Sequence, residues 1–222
     1  MKERPIIFSS EMVRAILETR KTTTRRLVKP QPDSDCRIDS GKIMTSVGVA
    51  YVRGERGNQC VRVPCPYGIP GDRLFVREKF SVCYNGENFA DIIYAADRVR
   101  QTFPITGWIE NAIEKHGEYL RPSIHMPKWA SRITLEITNV RVEKLQEITE
   151  EDAKREGIEV MQRPESVGGG IRYLAPACGD RPPYWEYSAV TAFIYLWDSI
   201  YGKDAWEANP FVWVIEFKRV KP

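Results

Sequence analysis

The run Thr19-Arg20-Lys21-Thr22-Thr23-Thr24-Arg25-Arg26 gathers a primary amine, several hydroxyls and three guanidinium groups in one short stretch. One kind of chemistry suits that mixture: a threonine hydroxyl attacks an electrophilic carbonyl while a neutral amine takes its proton. A lysine serves as that base only when its ordinary pKa of ~10.4 falls towards ~7–8, through burial or neighbouring cations. Arg20, Arg25 and Arg26 are placed to supply such cations and are the candidate substrate-binding residues. Lys21 and Thr24 are three positions apart, so they share a face on a helical turn but lie on opposite faces of a straight strand. Their partnership needs a turn. A solvated basic turn is the plain alternative for the same residues.

The surrounding pattern offers that turn. Met12, Val13, Ile16 and Leu17 fall on one side of a helix running from Ser10 to about Glu18. The three β-branched threonines then disfavour further helix, because their χ1 freedom is lost against the preceding turn. Residues 29–70 are rich in Pro, Asp, Ser and Gly and read as loop or hairpin. Gly71-Asp72 is a turn feeding a strand through Leu74 and Val76, and Ile92 to Ala95 is a second short strand. From Arg98 to Lys128 the pattern is weak, with Trp108, Tyr119 and the loop Ser123 to Trp129 as landmarks. His125 in that loop is of a type that stacks on a nucleobase, although loop packing explains it equally simply.

The clearest strand is Arg132 to Leu145. Ile133, Leu135 and Ile137 alternate with polar residues before the apolar phase switches to Val140 and Val142, which predicts a bulge near Thr138-Asn139. A short helix follows, with Thr149 as N-cap, Glu150, Glu151 and Asp152 in its first turn, Glu156 as its last residue and Gly157 as its terminal cap. Residues 161–183, with a triple glycine and Pro182-Pro183, read as a mobile excursion. A longer helix spans Ser188 to Tyr201, where Phe193, Leu196, Trp197 and Ile200 have core spacing, and a final strand puts Phe211, Trp213, Ile215 and Phe217 on one face. Trp197 and Trp213 are assigned to packing. The fold class is α+β.

At 222 residues with 42% hydrophobic and 28% charged residues, the chain is ordinary for a globular protein, and a net charge of +3 is too small to mark a nucleic-acid binder by bulk electrostatics. The distribution is more telling, because residues 1–30 carry eight Lys/Arg against three Glu. Cys36, Cys60, Cys65, Cys83 and Cys178 are odd in number and lack a C-x-x-C pair, as expected of reduced thiols in the cytoplasm. A zinc site from Cys60, Cys65 and Cys83 with His116 or His125 matches no standard spacing, so neither metal nor cofactor is expected. The apolar run Phe211 to Ile215 is far too short to span a bilayer, so no membrane partner is expected.

The run Ile16 to Arg26, the turn Gly71-Asp72, the helix Ile148 to Ile158 and the terminal Val214-Ile215-Glu216-Phe217-Lys218 resemble the ASCH domain family. The blocks cover about a third of the chain, in the family's order, and are most similar to the small bacterial N(4)-acetylcytidine amidohydrolases and to larger ASCH proteins of phages and prophages. The resemblance implies one PUA-like domain, a curled β-barrel flanked by helices, spanning residues 1–222 with insertions around 30–70, 98–130 and 159–187. It also implies a modified nucleoside or RNA as partner. It carries the family's lysine, threonine and carboxylate onto Lys21, Thr24 and Glu156, and its motif arginine onto Arg26. Thr24 would attack an acyl-amide carbonyl, Lys21 would be the base, and Glu156 would hold and pass a proton. A non-catalytic RNA-binding module using the same basic cleft is the alternative. One departure is visible: the glycine usual two positions before the lysine is Thr19, and a positive φ there would strain it.

Overall fold

Two long strands, Thr134–Lys144 and Phe211–Val220, pair along their whole length and form the spine of the molecule. A computed structural model gives the fold and describes residues 1–31, 49–53, 60–116, 119–167, 169–176 and 182–220. In chain order the elements are β1 (Glu3–Ile7), α1 (Ser10–Leu17), β2 (Thr23–Leu27), β3 (Val49–Arg53), β4 (Cys60–Pro64), β5 (Arg73–Arg77), β6 (Phe80–Tyr84), β7 (Phe89–Tyr94), β8 (Arg100–Pro104), α2 (Gly107–His116), β9 (Thr134–Lys144), α3 (Glu150–Arg155), β10 (Val160–Gln162), β11 (Ile171–Ala175), β12 (Tyr184–Glu186), α4 (Ala189–Tyr201) and β13 (Phe211–Val220). The fold is α+β. The principal sheet has the order β1-β5-β9-β13-β2, with β1 parallel to β5 and the other pairs antiparallel.

Helices cover both faces of that sheet. Trp213, Ile215 and Phe217 of β13 pack with Val13 and Ile16 of α1, as the alternation predicts. Val212 and Val214 point the other way, into a second cluster with Phe193 and Trp197 of α4. Because β13 is apolar on both faces, it belongs at the centre of the sheet. In β9, Glu216 pairs with Asn139 and Phe217 with Ile137, which leaves Thr138 as the extra residue of a bulge. The bulge corrects the phase, so that Ile137 and Val140, three positions apart, both enter the α1 core.

The strands form an open sheet rather than a closed barrel among the described residues, with β1 and β2 as its edges. Where a barrel would close, a side chain spans the gap: Arg26 Nη2 donates to the Ile7 carbonyl at 2.7 Å. Of the segment 161–183, read from the sequence as a mobile excursion, residues 168 and 177–181 lie outside the described residues, and the described part contributes residues 161–162 of β10 and all of β11. β10, β11 and β12 form a small antiparallel sheet, and Tyr173 and Ala175 of β11 are buried in the α4 core. Glycine content concealed that alternation, since Gly169 and Gly170 serve a turn with positive φ between β10 and β11. A third cluster lies in residues 80–130, where β6, β7 and β8 form a meander backed by α2. No helix among the described residues is long and apolar enough to cross a membrane.

Asp72 secures the first strand to this sheet. Its carboxylate accepts from the Lys2 backbone N–H at 2.7 Å and from Arg4 Nη1 at 2.8 Å. These bonds stabilise the charged form and hold its pKa down at about 2. A carboxylate depressed in the folded state contributes stability above its unfolded pKa of ~3.9 and loses it as pH falls through the folded value. Asp72→Asn should therefore cost about 2 kcal/mol at pH 7 and much less near pH 2. Urea denaturation at both pH values checks this, and an equal gap at both would refute the linkage.

Candidate active site

The site begins where α1 stops. Ser9 caps the helix start by accepting from the Met12 N–H, and the end closes with Arg20 N–H donating to the Ala15 carbonyl at 2.9 Å and Thr19 N–H to the Ile16 carbonyl at 3.1 Å. This pair of bonds is the Schellman closure, whose pivot residue must adopt a left-handed conformation. The pivot is Thr19, with φ 62°. A β-branched residue there is strained, and the strain follows from the departure noted in the sequence. The closure turns the chain so that Lys21 forms an antiparallel bridge with Glu156, just past α3, while Thr22 N–H donates to the Arg155 carbonyl at 2.9 Å. Thr149 caps α3 at its start, and Gly157, φ 92°, ends it. A Cβ on Gly157 would lie 2.8 Å from the Cβ atoms of both Ala15 and Lys21, so only glycine lets the two segments meet.

This docking places the Lys21 ammonium in the interior. Its side chain has 0% exposure, and Nζ donates to Glu156 Oε2 at 2.7 Å, to the Glu156 carbonyl at 2.8 Å and to the Thr23 carbonyl at 2.9 Å. Three acceptors match the three protons of an ammonium. Burial pulls the Lys21 pKa below its ordinary range, Glu156 opposes that shift, and Arg26 and Arg25 add smaller downward effects. Desolvation thus outweighs the neighbouring cations to which the sequence pointed.

Arg25 lies on the other side of Glu156. Its buried guanidinium donates to Glu156 Oε1 at 3.3 Å, to Glu143 Oε1 at 2.6 Å and to Asp152 Oδ2 at 3.1 Å. Arg141 continues the network to Glu143 and Glu216. Arg25 is therefore committed to the carboxylates of β9, α3 and Glu156 and is not free for the substrate-binding role expected of it from the sequence, because its buried guanidinium is needed to neutralise them. Arg20 is also engaged internally, with its guanidinium on Glu18 and its Nη1 donating to the Gly157 carbonyl at 2.7 Å.

Thr24, Arg25, Arg26 and Glu156 line one small cavity, closed by Met12 of α1 and by Phe193 and Trp197 of α4. Its volume is about 10 Å³, room for at most a single water. Thr24 is 2% exposed, and no hydrogen bond holds its hydroxyl among the described residues. Lys21 does not reach the cavity wall and meets it through Glu156. Two of the lining residues, Arg26 and Trp197, each have a buried N–H, Nε and Nε1, that has no acceptor among the described residues. Of the residues singled out in the sequence, Thr24, Arg25, Arg26 and Glu156 line this cavity, Lys21 meets it only through Glu156, and Arg20 is not among the lining residues, whereas Trp197, which sequence spacing assigns to the core, does line it. Its helical spacing signalled burial, and nothing in the sequence signalled an unpaired indole N–H. Comparison with known proteins gives no matching family model, no matching curated protein and no matching solved structure.

The two left-handed residues flanking the bridge respond oppositely to substitution. Thr19→Gly should raise stability by about 0.5–1 kcal/mol, since relief of left-handed strain exceeds the backbone entropy of glycine. Gly157→Ala should lower it by about 3 kcal/mol or more, through the same strain plus the clash with Lys21 and Ala15. Equilibrium denaturation measures both, and a destabilised Thr19→Gly protein would contradict the strain argument.

Proposed function

We propose that this chain is an amidohydrolase of the ASCH type, with a PUA-like architecture, that acts on an acylated cytidine or a related acylated nucleoside. One observation carries the reading: Glu156 joins the fully buried Lys21 to a cavity that Thr24 also lines. A buried lysine shifts its pKa and changes protonation readily, which suits a base.

In the scheme, closure over substrate removes the remaining water and favours the neutral pair, so the Lys21 proton passes to Glu156 across their 2.7 Å contact. Closure must also bring Lys21 Nζ, which in the resting structure meets the cavity only through Glu156, to the Thr24 hydroxyl, whose proton neutral Lys21 takes as the oxygen bonds to the acyl carbon. The unpaired N–H groups of Arg26 and Trp197 are suited to the oxyanion that forms. Collapse breaks the C–N bond, the amine leaves with the proton that Glu156 holds, and water then hydrolyses the Thr24 ester. The resting cavity is too small for a nucleoside, so admission requires the C-terminal part of α4, including Leu196 and Ile200, to move away from Met12.

A non-catalytic RNA-binding module is the second reading. It is favoured by the complete set of acceptors around the Lys21 ammonium, and disfavoured by the internal engagement of Arg20 and Arg25, which leaves few cations for phosphates. Incubation with N4-acetylcytidine separates the two. Hydrolysis should release cytidine, rise with pH as Lys21 loses its proton, and fall at least about 10²-fold in Thr24→Ala. No release from a panel of acylated nucleosides, together with salt-sensitive RNA binding that depends on Arg26, would establish the second reading instead.

A further inference from the structure

A second, larger cavity of about 680 Å³ lies in the region of the third cluster, remote in sequence from Thr24 and lined by residues of α2 and of 119–125. That volume is in the range of small-molecule sites. Gly107 and Trp108, the first two residues of α2, form one wall, Asn111 and Ala112 continue it, and Tyr119, Arg121 and His125 close the other side. None of the lining residues among the described ones is acidic.

Arg121 is the unusual member. It is 7% exposed, and its backbone is clamped to β6 by Arg121 N–H donating to the Phe80 carbonyl and Phe80 N–H donating back. One guanidinium donor is bonded to the Ala112 carbonyl, while Nε is buried with no acceptor among the described residues. No carboxylate pairs with it among the described residues, and burial alone acts on its pKa, lowering it. A buried guanidinium without a counter-ion is costly, and an anion in the adjoining cavity would offset that cost.

The walls add a shape requirement. Trp108 is held in place by stacking on Phe80, with ring centroids 6.3 Å apart, and by the edge of Trp129 at 5.4 Å. Tyr119 is 79% exposed at the rim, an uncommon position for a tyrosine without a partner surface. The exposed Asn111 offers an amide donor and acceptor for the edge of a planar ring. We propose that this cavity binds a small anion carrying an aromatic ring, of the nucleoside monophosphate class, with Arg121 on the phosphate and Trp108 and Tyr119 against the base. This site is separate from the Thr24 cleft and does not depend on the chemistry proposed there.

Titration of the full chain with cytidine monophosphate, followed by calorimetry and tryptophan fluorescence, tests the proposal against cytidine, inorganic phosphate and a short single-stranded RNA without terminal phosphates. The monophosphate should bind at least tenfold more tightly than cytidine and than inorganic phosphate. Arg121→Gln should weaken it at least tenfold, and Tyr119→Ala severalfold. Tyr119 is exposed, so its variant remains informative if Arg121→Gln fails to fold. Absence of monophosphate binding at millimolar concentration, binding unchanged in Tyr119→Ala, equal binding of inorganic phosphate, or binding of the RNA alone would each overturn the proposal. Acetylcytidine cleavage has no bearing on these outcomes.

Discussion

The contact between Lys21 Nζ and Glu156 Oε2, 2.7 Å long and sealed from solvent, is the constraint around which this molecule is arranged. Removing an ammonium and a carboxylate from water costs several kcal/mol per ion, and their attraction offsets that only when the remaining donors and acceptors are also satisfied. The surrounding structure meets that condition. Two backbone carbonyls complete the lysine, and Arg25 takes the second oxygen of the glutamate. Arg25 in turn binds Glu143 on β9 and Asp152 on α3, so the charges tie the edge strand β2 to the central sheet and to a helix on its face.

The backbone accommodates this pair at two points with opposite solutions. Gly157 gives α3 a left-handed exit and leaves room for Lys21 to approach. Thr19 takes the same handedness at the end of α1 although its side chain opposes it. Strain at one turn is retained because the Schellman bonds, the Lys21–Glu156 bridge and the Arg20 bond to Gly157 over-determine the geometry. The site therefore rests on rigid termini of two helices, with the hydroxyl of Thr24 on the strand that follows.

Much of this was legible in the sequence, and the omissions share a cause. The one-sided apolar spacing of α1, the phase switch in β9, the caps of α3 and the alternation of β13 are local patterns, and each has its counterpart in the structure. The meeting of Lys21 with Glu156 spans most of the chain and was reachable only through resemblance to a family. The partners of Arg25 were not readable, because Glu143 and Asp152 look like ordinary charged residues of a strand and a first helical turn. The barrel expected from that resemblance is an open sheet here, with the Arg26 side chain across the gap between its edges. Strands β10 to β12 were hidden by glycine, and the Arg121 cavity by the weak pattern of residues 98–128, since an unpaired buried guanidinium leaves no periodic trace.

A double-mutant cycle on Lys21 and Glu156 measures the interaction itself. Lys21→Met leaves Glu156 with Arg25, whereas Glu156→Gln leaves Lys21 buried without a counter-charge, so the second change should be the more costly, by about 3–5 kcal/mol in total. With both changes made, the loss in denaturant stability should fall short of the sum of the single losses by about 2 kcal/mol or more. Losses that add to within ~0.5 kcal/mol would show that the two charges are not coupled and would contradict the account.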